Sequence, residues 1–549
     1  MDSTAYKRYE EWIHSVKNPQ ELEQLSHMSE QEVEESFFQE LAFGTGGLRG
    51  VLGMGTSRMN RYVVSKATLG IVSYIQGYVR KKNRKVIIGY DTRRMSYEFA
   101  HLCADILSRY DIEVYIFDAP LPTPCVSFAI RFLKAAMGIM ITASHNPAEY
   151  NGYKVYDRFG CQITETMANM IYAEIQRQPY FPLDLSSNPL KIHSIGENII
   201  ELYLDKVIEQ SVCSIENKDI QIVYTPLNGT GKLPILKVFQ RLGLHNIVEV
   251  KEQMNPDIYF KTCPKPNPEE KEALSLAIQY AKKTDSDLVL ATDPDCDRVS
   301  IAIREKNEYR ILNANELGCL LLNFICENTE NLKNKLFLKT IVTTDLAEMI
   351  ASSYGVRTFN TLTGFKYIGE QITLLEKQNK EQDFLFGFEE SCGFLKGTYV
   401  RDKDAVVACL LICEMYAYYK EKGVLIGNQL KALYDKFGYC YNSLHTYLFE
   451  GAMGQKTMND IMDVFRYEIQ HVSGRPIVFK KDYALGLDDL PKSNVIKMYL
   501  EDNSSIVLRP SGTEPKLKIY FSIIDRDEIS CKNKEKELLT AVEKMFGKS

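Results

Sequence analysis

Several features are missing from this 549-residue chain, and each absence removes a class of function. There is no CxxC pair among its thirteen cysteines, which speaks against a zinc site or a disulfide framework and for reduced, mostly buried thiols. There is no basic excess: 66 Lys and Arg stand against 72 Asp and Glu, a net charge of −6, so a nucleic-acid binder is not indicated and an anionic ligand must be captured locally. The start, MDSTAYKRYEEWIH, has no apolar signal-peptide core, and the longest apolar run, Ala405 to Tyr419, is short and interrupted by Glu414. That run reads as a buried core helix, and the expected address is the cytoplasm. No low-complexity tract separates the parts of the chain, so its domains should pack against one another.

What is present is α/β alternation. A helix, a glycine-rich loop and a long helix precede the strand KVIIGYD, the helix SYEFAHLCADILSRY and the strands EVYIFDA and MGIMITA. The prolines of QRQPYFPLDLSSNPLK then break the periodicity, and Glu197 to Cys213 reads as an amphipathic helix. The strands DIQIVYTP and LFLKTIVTT, each leading into a loop and helix as KVIIGYD does, suggest three related units. A smaller α+β part closes the chain. A single core does not grow to this length, and the expected division is 1–210, 211–313, 314–440 and 441–549.

Four segments carry chemistry. In MGIMITASHNPAEYNGYKVY, Ser144 stands on a loop directly after an apolar strand, where α/β proteins place reactive groups. The surroundings are not GxSxG, and a serine there can also cap a helix or satisfy its own backbone. In ATDPDCDR, Asp293, Asp295 and Asp297 alternate on one short loop and repel one another unless a cation sits among them. An EF-hand needs Gly where Arg298 stands and Glu where Arg304 stands, so Mg²⁺ suits the set better; a solvated acidic turn is the alternative. Arg298 either holds an anionic oxygen or pairs with an aspartate. In VLRPSGTEPKLK, Arg509, Ser511, Gly512 and Thr513 offer a guanidinium fork, hydroxyls and free N–H groups to a phosphate, though such turns also occur without a ligand. FGFEESCGF puts Glu389 and Ser391 after an apolar strand, an ordinary strand-end turn or a place to bond sugar hydroxyls. LAFGTGGLRG, with Arg49, lacks the spacing of a dinucleotide site.

Taken together and in this order, TASHNP, DPDCDR, GFEES and RPSGTEP resemble the α-D-phosphohexomutases, the phosphoglucomutase and phosphomannomutase family, from about Arg49 to Lys518. The resemblance implies three related α/β domains and a smaller C-terminal α+β domain around a central cleft. It implies a phosphoserine at Ser144 and Mg²⁺ held by Asp293, Asp295, Asp297 and the Ser144 phosphoryl group. His145, Lys154 and Arg49 would be the acid/base and charge-stabilising groups. Glu389 and Ser391 would hold sugar hydroxyls, Arg509, Ser511, Gly512 and Thr513 the unreacting phosphate, and Arg298, Gly364, Lys366 and Lys403 further substrate contacts. It also implies a phosphosugar substrate, with glucose ahead of pentose and mannose, and glucose 1,6-bisphosphate as activator. The competing classes are a sugar-bisphosphate synthase, a Mg²⁺ phosphatase and an inactive sugar-phosphate-binding protein. No nucleic-acid or membrane partner is implied.

Overall fold

A computed structural model describes residues 3–216, 218–449, 451–487, 490–510 and 516–546. Contacts gather the chain into two units. The first comprises residues 1–312, 368–385 and 391–418; the second comprises 313–367, 386–390 and 419–549.

The first unit contains two sheets. One has six strands in the order Leu48–Val51, Tyr150–Tyr156, Met137–Ile141, Lys85–Tyr90, Glu113–Phe117 and Ile192–Ile195. Its last four strands are parallel, and Tyr150–Tyr156 pairs antiparallel with both neighbours. Val86, Ile88, Ile139, Ile141, Tyr153 and Val155 turn to one face, against the helices Arg61–Tyr78, Ser96–Arg109 and Glu165–Gln176. Buried on both faces, these strands read as continuous apolar runs. On the other face lies the helix Thr123–Phe132, and it comes close because the strands beneath it carry glycine. A Cβ on Gly89 would stand 2.4 Å from Val126 Cγ2, and one on Gly138 would stand 2.3 Å from Ile130 Cδ1.

The second sheet has the order Glu308–Leu312, Val299–Glu305, Leu288–Thr292, Ile222–Thr225 and Ile247–Glu249. The same pattern recurs. In each sheet a central strand runs through a helix into a parallel neighbour on one side, a second parallel strand lies on its other side, and a hairpin turn leads on from that second strand. In the second unit Leu336–Thr340 likewise continues through the helix Asp345–Ser353 into its parallel neighbour Arg357–Thr361. Farther along the chain the strand Phe384–Glu389 ends in a turn before the strand Gly393–Leu395. The suspected repeat is therefore a repeat of topology. The C-terminal region differs, being a six-stranded sheet of antiparallel neighbours with the helix Glu528–Phe546 burying Cys531, Leu538 and Val542. The fold is thus three α/β domains followed by a sheet-rich C-terminal domain.

The helix Ala405–Glu421 buries every residue from Ala405 to Met415 in the core, as the sequence suggests. Among the described residues no helix is long and apolar enough to cross a membrane. All thirteen cysteines are free thiols, and only Cys213 is not buried. One expected element is shorter than its periodicity implies. The helix from Glu197 ends at Ile208, not Cys213, because the Glu414 carboxylate accepts from Ser211 Oγ and from Val212 N at 3.1 Å, pulling the chain out of the helical path.

Candidate active site

Each of the three repeated hairpin turns holds one non-glycine residue in the left-handed region: Ser144 at φ 54°, Cys296 at φ 52° and Cys392 at φ 60°. Such backbone is disfavoured for residues with a Cβ and persists where the surroundings over-determine it. Around Ser144 the cause is visible. Its N–H donates to Thr142 Oγ1 at 2.8 Å, and Thr142 Oγ1 donates to Asp91 Oδ2 at 2.6 Å. Arg93, wholly buried and ion-paired to Asp91 at 3.3 Å, donates to the carbonyls of Ser144, Asn146 and Pro147 at 2.6, 2.5 and 2.8 Å. One guanidinium thus fixes the turn from beneath, leaving Ser144 Oγ free to donate to Asp293 Oδ2 at 3.0 Å. His145 Nδ1 lies 3.2 Å from Ser144 Oγ.

The acidic turn is buried throughout. Asp293, Asp295 and Asp297 each offer an oxygen within 4.8 Å of the others. Asp293 Oδ1 accepts the N–H groups of Asp297 and Arg298 at 3.1 and 3.0 Å. Lys154 Nζ reaches Asp295 at 2.7 Å and Asp297 at 3.2 Å, and Lys403 Nζ reaches Asp297 at 3.2 Å. Thr123, at the start of the closely packed helix, donates its hydroxyl to Asp295 Oδ2 at 2.8 Å. Even so, Asp295 Oδ1 and Asp297 Oδ1 are buried without a hydrogen-bond partner. Buried acceptors left unpaired are costly, and two hard oxygens of this kind beside a third carboxylate fit a divalent cation such as Mg²⁺.

The electrostatics follow from this crowding. Burial pushes the Asp293 carboxyl well above the usual carboxylate range, and Asp295 and Asp297 push it further. Asp295 is equally buried, yet Lys154, with help from Thr123, holds it below that range. For Lys154, burial favours loss of the proton, but Asp295 and Asp297 outweigh it and the ammonium is retained. Burial, reinforced by Arg298 and Arg49, lowers His145 to about 2, so its imidazole is neutral.

Of the remaining residues singled out in the sequence, Arg49 Nη1 donates to Asn146 Oδ1 at 3.0 Å, and Arg298 Nη1 pairs with Glu269 at 2.7 Å while its Nε stands 3.9 Å from Asp297. Ser391 belongs to the first unit, where the next residue, Cys392, accepts the Val299 N–H at 3.2 Å. Gly364, Lys366, Glu389 and Arg509 belong to the second unit. There Glu389 is buried, Lys366 Nζ lies 4.7 Å from the Tyr367 ring centroid, and Arg509 pairs in register with Lys518 and bonds Tyr520. Ser511, Gly512 and Thr513 lie outside the described residues.

Sequence reasoning missed Arg93, Thr123 and Asp402, the last of which accepts from Tyr156 Oη at 2.9 Å and from Lys403 Nζ at 3.2 Å. Asp91 and Arg93 directly follow an apolar strand, the signal that singled out Ser144. Thr123 carried no such signal, because its partner is 172 residues away.

Three family models match in succession: phosphoglucomutase/phosphomannomutase alpha/beta/alpha domain I over residues 40–180, domain II over 201–306 and domain III over 313–437. A phosphoglucomutase of Staphylococcus epidermidis is 36% identical over 532 residues, covering 93% of this chain and 96% of that protein. One from Staphylococcus aureus is 35% identical over 530 residues, covering 93% and 95%. Among solved structures, the phosphoglucomutase parafusin of Paramecium superposes with a TM-score of 0.70 at 19% identity, covering 92% of this chain and 96% of that one. A family protein from Burkholderia thailandensis gives 0.70 at 16% identity, covering 92% and 97%. The first relatives match almost from end to end and the domain models follow one another in order, so the chain belongs to the phosphoglucomutase/phosphomannomutase family of phosphosugar mutases.

Proposed function

We propose that the protein is a phosphoglucomutase that interconverts α-D-glucose 1-phosphate and glucose 6-phosphate through a phosphoserine at Ser144. The observation that carries this reading is Ser144 Oγ, 3.0 Å from Asp293 on a left-handed turn that Arg93 holds from beneath. The sugar is supported by the relatives named phosphoglucomutase.

In this reading the bond from Ser144 Oγ to phosphorus breaks as a bond from a sugar hydroxyl to phosphorus forms. The neutral His145 imidazole takes up the proton of the sugar hydroxyl as that bond forms and returns it to Ser144 Oγ, 3.2 Å from its Nδ1, so that the serine hydroxyl is restored. Lys154, clamped between Asp295 and Asp297, offsets developing charge, as does Arg49. Asp293, Asp295, Asp297 and the phosphoryl group would hold Mg²⁺, which when bound neutralises the charge of the transferring group. The resulting glucose 1,6-bisphosphate turns over within the enzyme, its second phosphoryl returns to Ser144, and the same bisphosphate acts as activator.

Glu389 and Ser391 take sugar hydroxyls, Arg509 with Ser511, Gly512 and Thr513 takes the unreacting phosphate, and Arg298, Gly364, Lys366 and Lys403 supply further contacts. We further propose domain limits of 1–210, 211–313, 314–440 and 441–549, and, from thirteen free thiols, a reducing address in the cytoplasm.

The test is turnover on glucose, mannose, ribose and deoxyribose 1-phosphates with and without glucose 1,6-bisphosphate, alongside mass spectrometry of the purified protein. Phosphate on Ser144 and preference for glucose 1-phosphate support the reading. Preference for a pentose or mannose phosphate overturns the sugar, and turnover without phosphoserine overturns the mechanism.

A further inference from the structure

At its far end from the Ser144 turn, the strand Tyr150–Tyr156 runs into a second concavity. The strand is seven residues long, so the two places lie roughly 20 Å apart along it. Here the end of the helix Arg61–Tyr78, the loop after the helix Thr123–Phe132 and the turn Asp157–Gly160 enclose a cavity of about 740 Å³. That volume is in the range of small-molecule sites.

Its lining combines two kinds of group that do not normally meet without a reason. Tyr74 and Tyr78 stand with ring centroids 5.0 Å apart, over apolar surface from Ala135 and Met167. Around them are Arg80, Lys134 and Arg158, all exposed; among the described residues none of the three forms a salt bridge, though the Arg158 charge acts on the Asp157 carboxyl. Neighbouring cations do have partners: Lys81 pairs with Asp111 at 2.9 Å and Arg131 with Glu376 at 3.0 Å. Arg80 and Lys134 line the cavity without such a partner, and Arg158 lines it with its guanidinium 4.7 Å from the Phe159 ring centroid. Lys377 adds a fourth positive charge close by, 4.9 Å from the Phe159 ring centroid.

One acceptor faces this basic rim. Asp157 Oδ1 takes the N–H groups of Phe159 and Cys161 at 2.8 and 3.0 Å, which fixes the turn and leaves Oδ2 for a donor. A ligand that satisfies all of this has a planar π-face for the tyrosines, an amine or hydroxyl for Asp157 and a phosphate for the three cations. A sugar phosphate lacks the π-face. We infer that this cavity is a second ligand site, separate from the Ser144 site, that binds a nucleoside monophosphate of the adenosine type.

The full-length protein titrated calorimetrically with AMP, and separately with adenosine and inorganic phosphate as its two halves, tests this. AMP is expected to bind at least about tenfold more tightly than either half. Saturating glucose 1-phosphate should leave that binding unchanged. The double variant Arg80→Glu/Lys134→Glu, altered only at exposed side chains, should lose about tenfold or more in AMP affinity with kcat and KM for glucose 1-phosphate unchanged, and Tyr78→Ala should weaken binding in the same way. No heat with millimolar AMP, displacement of AMP by glucose 1-phosphate, or full affinity in the double variant would each overturn the site; adenosine binding as well as AMP would overturn the phosphate half of it.

Discussion

The turn carrying Ser144 and the turn carrying the three aspartates occupy the same place in two repeats of one topology, yet their interiors are opposites. Beneath Ser144 lies a buried cation, Arg93, that spends its donors on backbone carbonyls and holds the turn rigid. Within the acidic turn lie three buried carboxyl groups, two with an oxygen left without a hydrogen-bond partner. The same hairpin geometry thus serves to present a nucleophile in one repeat and to gather cation ligands in the other, because the groups packed behind each turn decide which charge it can hold.

The largest blow to this comparison should come from Ser144→Ala. Mutase turnover is expected to fall by at least about 10⁴-fold, since alanine carries no phosphoryl group, while the circular dichroism spectrum and melting are unchanged. Near-native turnover in a well-purified variant would remove the covalent role.

Next, chelation by EDTA should reversibly abolish turnover, and Asp297→Asn should lower it by about 10²-fold or more, with a raised Mg²⁺ requirement. Full activity in excess chelator would leave the acidic turn without a metal role.

Arg93→Lys asks whether rigidity of the first turn matters. A lysine keeps the charge but not the fork that spans three carbonyls. Because misplacement of a reacting group by about 1 Å costs about 10²-fold, kcat should fall by that order with KM little changed. A parallel rise in KM, with kcat retained, would mean that Arg93 acts on binding and not on the position of Ser144.

The two turns should also differ in what they cost the fold. Asp293→Asn removes the carboxyl whose ionisation is opposed by burial and by both neighbouring aspartates, so the metal-free variant should be inactive yet more stable by about 1–3 kcal/mol, read as a higher melting temperature. A lower melting temperature would show that the cluster stabilises the fold even without a cation.

An effect on stability alone comes from a solitary buried carboxyl, Glu414, raised to about 7 chiefly by burial. Its folded-state pKa lies above the unfolded value of 4.5, so the folded protein binds the extra proton between those values and stability declines as pH rises from 4.5 towards 7. Glu414→Gln should flatten that slope, by up to about 3 kcal/mol across the window, as read from denaturant midpoints at each pH. An unchanged slope would exclude Glu414 as its source.

Much of this was legible in the chain itself. Continuous apolar runs and period-3.6 apolar patterning marked the strands and helices, and strand-end positions marked Ser144, the aspartates and Glu389, because chemistry and topology both concentrate at those ends. Charge spacing pointed to a cation among Asp293, Asp295 and Asp297. Only the tertiary structure decided the rest. It ended the helix from Glu197 early, through a carboxylate on Glu414 more than two hundred residues on. It seated Arg93 beneath Ser144, and it brought Thr123 to Asp295 by way of Gly89 and Gly138, whose missing side chains let one helix lie close on its sheet. Local patterning fixes which face of an element is buried and where a turn falls; partners far apart in sequence are set by how those faces close on one another, and no pattern within a single segment encodes that.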